Sequence, residues 1–198
     1  MHTTPKRPAG RARKTLLTLA ILGAVGSIGG FATFSAFSGT TANAGNSFTA
    51  GSVTIADNDA GVALYNLTNQ KPADTKASCI KVTYSGSLDA SVKLYASSVA
   101  AGGQYVNLKV TKGTGTSAAC TDFTAAATGA NVFTGTVSGF ATSYSSYASG
   151  LSLTPATGAS WITNSTVSYK FEVDVQDNDA AQGATTGTHS YTWEARNN

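Results

Sequence analysis

The chain of 198 residues is long enough for one domain together with a targeting segment. Only 12% of its residues are charged, against about 25% in ordinary soluble domains, so charge contributes little to solubility and self-association is expected. Five of the 13 basic residues precede residue 15, and the eight others are outnumbered by ten acidic residues. The body therefore lacks the clustered basic face that nucleic acids and anionic membrane surfaces require.

The N-terminus has the pattern of an export signal. Residues 1–14 are basic, residues 16–37 are apolar or small, and no charge occurs between Lys14 and Asp57. A basic head followed by an apolar run and small residues predicts a helical secretory signal peptide. About 20 apolar residues can also span a bilayer, so a retained membrane anchor is the alternative.

Two positions fit cleavage of this signal. Thr33-Phe34-Ser35 places small residues at the two sites that a signal peptidase reads, which would make Ala36 the first mature residue. Ala42-Asn43-Ala44 matches the A-x-A pattern more closely and would make Gly45 the first residue. The sequence pattern by itself leaves both open.

Cysteine usage agrees with export. Cys79 and Cys120 both lie beyond the signal, and an oxidising compartment permits a disulfide between them. The alternative is two unpaired buried thiols. We predict the disulfide.

The body is predicted to be an all-β antiparallel sandwich, because short segments alternate apolar and polar residues between Gly-, Asn- and Ser-rich turns. In the clearest segment, Tyr169, Phe171 and Val173 share one face, while Lys170 and Glu172 share the other. The predicted strands are 53–55, 62–67, 81–84, 91–94, 105–111, 131–137, 151–153, 169–176 and 189–194. The stretch 138–150 is a loop or a short helix.

Several segments, taken in order, resemble the TasA/camelysin family. They are 29–38 with 46–55, Leu64-Tyr65-Asn66-Leu67 with 71–74, 85–95, and 173–183 with Tyr191-Thr192-Trp193-Glu194-Ala195. Together they cover roughly half of the chain. The region 99–160 and the two cysteines have no counterpart in the family pattern.

The resemblance implies a jelly-roll-like sandwich that is secreted to the cell surface. It implies cleavage between Ser35 and Ala36 by the dedicated signal peptidase SipW, and membrane association only before cleavage. It further implies assembly into biofilm-type fibres by donor-strand complementation, with copies of the same chain or a homologous subunit as partner. The resulting division is a signal peptide (1–35), an N-terminal arm that acts as donor strand (36–51) and a sandwich domain (52–198).

The residues of the arm are compatible with that mechanism. Residues 36–51 carry no charge and include Phe37 and Phe48 as candidate anchors in a neighbouring subunit. Strand addition takes its affinity from main-chain hydrogen bonds, and a neutral arm enters a groove without burying an unpaired charge. The alternatives are a disordered mature N-terminus and a strand within the subunit's own sheet.

An enzyme is the alternative class, because camelysin-like proteins are catalogued as metallo-endopeptidases. A zinc hydrolase needs about three protein ligands, often in an H-E-x-x-H motif. The motif is absent here, His2 lies in the signal, and His189 is then alone. We therefore predict no catalytic residue and no zinc site.

Two acidic turns are the remaining candidates for a cofactor. Asp57 and Asp59 flank one asparagine, and Asp177 and Asp179 flank another. Clustered oxygens of this kind suit Ca²⁺ better than zinc. Asp and Asn also favour turns for backbone reasons alone, so solvated turns are the other interpretation.

A wall- or carbohydrate-binding module is a third class. Tyr144, Tyr147, Trp161 and Trp193 are candidates for a stacking platform. Trp193 alternates with Tyr191 and is expected to face the core. Tyr144 and Tyr147 are therefore the expected exposed pair.

Overall fold

The computed structural model describes residues 47, 49–155 and 158–198. The signal helix within residues 1–35, the cleavage site between Ser35 and Ala36, and the candidate anchors Phe37 and Phe48 lie outside this part of the chain, so those expectations stay predictions. Residues 49–198 form one unit with its own core. None of the helices among the described residues is long and apolar enough to cross a bilayer.

Within the described residues the chain forms nine strands, one α-helix and two 3₁₀ turns. The strands are β1 (Ile55–Asp57), β2 (Thr75–Tyr84), β3 (Ala90–Ala96), β4 (Val106–Thr114), β5 (Thr124–Ala125), β6 (Asn131–Thr136), β7 (Leu151–Leu153), β8 (Thr166–Val175) and β9 (Tyr191–Asn197). The helix is α1 (Val137–Ser143), and the 3₁₀ turns span Ala101–Tyr105 and Asp179–Ala181.

The strands build two antiparallel sheets. Sheet A has the order β1-β2-β8-β4-β5, with β6 also paired to β4, and sheet B has the order β7-β3-β9. The chain passes from one sheet to the other between β2, β3 and β4, and again between β6, β7, β8 and β9. The predicted all-β sandwich is thus confirmed.

The core lies where the inner faces of the two sheets meet. Tyr169 and Phe171 of β8 point inward and are fully buried, whereas Lys170 and Glu172 point outward and form an ion pair with 3.0 Å between Nζ and Oε1. Trp161 is also fully buried, and its Nε1 donates to the Leu153 carbonyl at 2.9 Å. Alternation along β8 therefore sets its orientation, because only one register places the aromatic rings inside.

The predicted strand at 62–67 is wrong. This segment has irregular structure, and Val62 is 68% exposed. Leu64 and Tyr65 pack against the core, but the segment pairs with no strand of the described chain. Positive φ angles at Ala60 (55°) and Gly61 (79°) turn the chain away after β1, so its apolar alternation reflects a loop lying on the core.

The stretch 138–150 begins with a short helix, as one of its two interpretations predicted. Helix α1 starts at Val137, and the Thr136 hydroxyl caps it by accepting a hydrogen bond from the Gly139 amide at 3.0 Å. Phe140 on this helix is fully buried. The two-residue strand β5 was not predicted, because two residues carry no usable alternation.

Residues just before β1 already pair within the subunit. The amides of Ser85 and Ser87 donate to the carbonyls of Thr54 and Ser52, each at 2.9 Å. A Cβ at Gly86 would collide with the Ser52 carbonyl, so glycine permits this close approach. The subunit's own first strand therefore reaches back to Ser52.

The predicted disulfide joins Cys79 of β2 to Cys120, with 5.2 Å between the two Cα atoms. The two cysteines are 41 positions apart in the chain. Cys79 is buried and Cys120 lies in the loop between β4 and β5. The bond therefore fastens the loop between β4 and β5 to strand β2 of sheet A.

We expect the double substitution Cys79→Ala/Cys120→Ala to lower the free energy of unfolding by about 3–4 kcal/mol, because a loop of this length regains its closure entropy in the unfolded chain. Urea denaturation of both proteins at neutral pH measures this loss. A loss below about 1 kcal/mol would show that the bond contributes little to stability.

Candidate functional site

Each sheet ends in a strand with one open edge on the same side of the sandwich. Among the described residues, β1 pairs only with β2, and β9 pairs only with β3. An edge strand leaves a row of main-chain donors and acceptors without partners, and this row is a template for one more strand. The open edges of β1 and β9 are thus the first candidate for a functional surface.

A groove of about 180 Å³ lies between these strands. Its lining is apolar and aromatic apart from Asp57 and Thr192. The lining residues are Ile55, Ala56, Asp57, Val82, Tyr191, Thr192 and Trp193. The two strand edges therefore flank one shared groove.

The direction of the main-chain groups on β9 follows from its pairing with β3. The Ser97 amide donates to the Ser190 carbonyl at 3.0 Å, and the Asn198 amide donates to the Asp89 carbonyl at 3.2 Å. Bonding alternates along an antiparallel pair, so the even-numbered residues of β9 bond to β3. The N–H and C=O groups of Tyr191, Trp193 and Ala195 therefore point to the open edge.

The inward side chains beside the groove are incompletely covered. Val92, Leu94 and Ala96 on the inner face of β3 are at most 2% exposed. Tyr191 and Trp193 face the same core from β9 but stay partly exposed. A further strand in the groove would complete their burial.

Trp193 also carries an unsatisfied donor. Its Nε1 is buried and has no hydrogen-bond partner among the described residues, and the same holds for the hydroxyl of Tyr169. The two rings are neighbours, with 6.1 Å between their centroids. A buried donor without a partner costs about 1–3 kcal/mol of stability.

Tyr191 also belongs to a chain of hydrogen bonds. The Tyr65 hydroxyl lies 2.8 Å from both His189 Nε2 and the Tyr191 hydroxyl, and His189 Nδ1 lies 3.2 Å from the Gly187 carbonyl. The carbonyl can only accept, so His189 Nδ1 carries a proton. The Tyr65 hydroxyl links the imidazole to the Tyr191 hydroxyl.

Burial keeps these hydroxyls protonated. Desolvation raises the pKa of Tyr65 to about 12, against the small opposing effect of the hydrogen bond with Tyr191. Desolvation, followed by the neighbouring Tyr65, also raises the pKa of Tyr191, and desolvation alone raises the pKa of Tyr169. The groove wall is therefore neutral at ordinary pH apart from Asp57.

The structure gives His189 a bonding role rather than a free ligand position. Both of its ring nitrogens lie within hydrogen-bond distance of a partner, as described above. The Glu194 carboxylate accepts from Arg196 Nε at 2.7 Å and from the Tyr95 hydroxyl at 2.8 Å, and these bonds lower the pKa of Glu194. The described ranges hold no group of three or more His, Cys, Asp or Glu side chains placed to bind a metal ion. The absence of catalysis stays a prediction.

Carboxylates of the first acidic turn hold the backbone. Asp57 Oδ1 accepts from the Asp59 amide at 3.3 Å, and Asp59 Oδ1 accepts from the Gly61 amide at 2.8 Å. Partial burial, followed by the side chain of Asp59, raises the pKa of Asp57, and the bond from the Asp59 amide opposes this rise. These bonds are what the turn interpretation predicts.

The second acidic turn bonds through its asparagine. The Asn178 side chain accepts from the Ala180 amide at 2.9 Å, which places Asp177 and Asp179 on either side of a capped 3₁₀ turn. This bonding favours the turn interpretation here as well. Ca²⁺ binding at the two acidic turns stays a prediction.

The four aromatic candidates for a stacking platform do not share one surface. Trp161 is part of the core, and Trp193 faces the core as expected. The expectation that Tyr144 is exposed is wrong, because its ring packs against Phe140 with 5.0 Å between centroids. Tyr147 lies apart from it, covered by the Arg196 guanidinium at 3.9 Å from its ring centroid.

Comparison with known proteins gives no relative. No family model matches the chain, and no curated protein matches it significantly.

The buried tyrosines make the fold sensitive to alkali. Because the folded pKa of Tyr65 lies above the unfolded value of about 10, its contribution to stability is complete below that pH and is lost as the pH rises through the folded pKa. We expect the free energy of unfolding to fall from about pH 10 upward, by about 1.4 kcal/mol per pH unit for each such tyrosine.

Urea denaturation over this pH range measures how steeply the free energy of unfolding falls with pH. Tyr65→Phe should make this slope smaller by the contribution of one tyrosine, about 1.4 kcal/mol per pH unit. The difference in free energy of unfolding between the two proteins at neutral pH gives the cost of the lost hydrogen bonds, separately from the change in slope. An unchanged slope in Tyr65→Phe would mean that Tyr65 does not titrate on unfolding.

Proposed function

We propose that the protein is a secreted structural subunit that assembles into extracellular fibres by strand addition. The arm of one subunit (residues 36–51) occupies the groove between β1 and β9 of the next subunit. The observation that carries the proposal is the groove itself, which has open main-chain edges on both sides and partly exposed aromatic rings on its inner wall. The resemblance to the TasA/camelysin family points to the same class of protein.

The dimensions and chemistry of the arm suit this groove. The seven residues of β9 form an edge about 23 Å long, and the arm has 16 residues, so part of it suffices to fill the edge. The arm carries no charge that would be buried without a partner. Its backbone carbonyls supply acceptors to the N–H groups of Tyr191, Trp193 and Ala195, and Phe37 or Phe48 can pack on the exposed rings.

The arm is joined to its own subunit at Ser52. The Ser52 amide donates to the Ser87 hydroxyl at 2.9 Å, and its carbonyl accepts from the Ser87 amide. These bonds occupy residues from Ser52 onward in the subunit's own first strand and leave 36–51 as the donor. The donor and the groove are different surfaces, so the contact is head-to-tail and does not close on itself, which produces filaments.

Export is supported by two independent features. The N-terminal pattern is that of a signal peptide, and the Cys79–Cys120 disulfide is typical of an oxidising compartment. We infer that the mature chain starts at Ala36, after cleavage by a SipW-type peptidase, and that its partner is a second copy or a homologous subunit.

N-terminal sequencing of the secreted protein tests the length of the arm. We expect the sequence Ala36-Phe37-Ser38, because the resemblance to the TasA/camelysin family favours this one of the two sites that fit the peptidase pattern. A start at Gly45 would shorten the donor to seven residues and remove Phe37. An uncleaved chain would leave the arm tethered to the membrane and contradict the donor role.

Assembly itself is tested with the chain that starts at Ala36. We expect filaments in electron micrographs that persist at high salt, because main-chain hydrogen bonds and apolar contacts are little screened. The same chain without residues 36–51 should elute as a monomer from size-exclusion chromatography. Filaments formed without the arm would contradict strand donation.

A single substitution tests the acceptor edge. Ala195→Pro removes an N–H that points to the open edge of β9 but leaves the bonds between β9 and β3 intact, and proline is tolerated on such edges. We expect a folded subunit that forms no filaments.

The matched control is Ser152→Pro on β7, the opposite edge of sheet B. Even-numbered residues of β3 bond toward β7, as the Ala96 amide shows by donating to the Tyr144 carbonyl at 2.9 Å, so the Ser152 N–H points outward. This variant should assemble normally. If Ala195→Pro assembled as well as Ser152→Pro, the groove beside β9 would not be the acceptor.

A further inference from the structure

A second strand edge of comparable length exists in sheet A. Strand β2 runs over ten residues, but β1 covers it only at positions 82–84. The stretch 75–81 is therefore an edge of seven residues, the same length as β9. The alternation on β2 turns the N–H groups of Ala77, Cys79 and Lys81 toward this edge.

A loop carbonyl and an asparagine side chain, and not another strand, bond to this edge. The Cys79 amide donates to the Ala118 carbonyl at 2.9 Å, and the Lys81 amide donates to Asn58 Oδ1 at 2.7 Å. Cys79 is 6% exposed and Ile80 is 1% exposed. The Ala118 carbonyl and Asn58 Oδ1 therefore take the place of a neighbouring strand at positions 79 and 81.

Ala118 belongs to residues 115–123, which we call the plug loop. Asn58 Nδ2 donates to the Thr116 carbonyl at 2.9 Å, so Asn58 bridges β2 and the plug loop. The Ser168 hydroxyl donates to the Gly115 carbonyl. The covalent attachment is the disulfide from Cys120 to Cys79, at the centre of the closed edge.

The plug loop is shaped by its own bonds. The Asp122 carboxylate accepts from the amides of Thr116 at 2.8 Å and Ser117 at 3.0 Å, and these bonds lower the pKa of Asp122. The plug loop can therefore keep its turn while detached from β2. Its hold on the β2 edge depends on the disulfide, the Asn58 bridge and the bond from Cys79 to Ala118.

We propose that the Cys79–Cys120 disulfide holds the plug loop over a second acceptor edge and thereby restricts each subunit to one arm. Strand addition recognises main-chain groups that every open edge offers, so an exposed β2 edge competes with the groove for the same donor. This inference rests on the proposed function in one respect: it takes the arm (residues 36–51) as the strand that binds to open edges. The role of the disulfide is thus selectivity of assembly in addition to stability.

The test counts arms per subunit. The protein is the chain without residues 36–51, which retains all the described core residues, and the probe is a synthetic peptide of residues 36–51. Calorimetric titration should give one peptide per subunit for the disulfide-bonded protein. It should give two for Cys79→Ala/Cys120→Ala, and Asn58→Ala added to that pair should strengthen the second binding event.

The matched control is Leu108→Ala in the disulfide-bonded protein. This substitution weakens the core at β4, which β8 separates from β2, and leaves the plug loop attached. Leu108→Ala should bind one peptide. Two peptides on this control would show that general loosening, and not release of the plug loop, creates the second site.

Amide exchange locates the second site. In the cysteine variant without peptide, the amides at positions 79 and 81 should exchange about tenfold faster or more than in the parent, and the peptide should slow them again. One peptide on every variant would overturn the inference and leave the proposed function standing. No peptide on the parent but one on the cysteine variant would overturn the proposed function alone, and none on either would overturn both.

Discussion

The architecture depends on how main-chain hydrogen bonds are completed at the margins of two small sheets. Inside the sandwich, β8 is paired on both sides and its aromatic residues are fully buried. At the margins, the same backbone offers groups that need partners, and the edges of β2 and β9 differ in whether those partners are supplied. A loop closes the edge of β2, while the edge of β9 lies open beside an apolar groove. The two margins therefore differ, since the edge of β2 is closed and the edge of β9 has no neighbouring strand among the described residues.

The sequence alone predicted the sandwich because the central strands alternate strongly. Tyr169, Phe171 and Val173 specify β8 almost completely, and the export context indicated the disulfide. Alternation failed at 62–67, where Leu64 and Tyr65 contact the core from a loop. A period of two shows which side chains face inward, but it does not show whether a backbone neighbour exists. The two residues of β5 are too few for any periodic signal.

The candidate site was beyond sequence reasoning for a related reason. The order of strands decides which edges are open, and that order comes from pairings between residues far apart in the chain. Tyr65 and His189 are separated by 124 positions and still share a hydrogen bond. Asn58 and Ala118 are likewise far apart in the chain, and both accept hydrogen bonds from the edge of β2. The neutral composition of residues 36–51 indicated a donor, but no local pattern marked the acceptor.

The two tryptophans lie in contrasting environments. Trp161 is sealed in the core with its indole N–H satisfied, whereas Trp193 stands in the wall of the groove with its indole N–H free among the described residues. Indole emission responds to polarity and hydrogen bonding around the ring. A chain carrying Trp161→Phe would therefore contain one intrinsic fluorophore, and its spectrum would report when the groove is filled, without any added label.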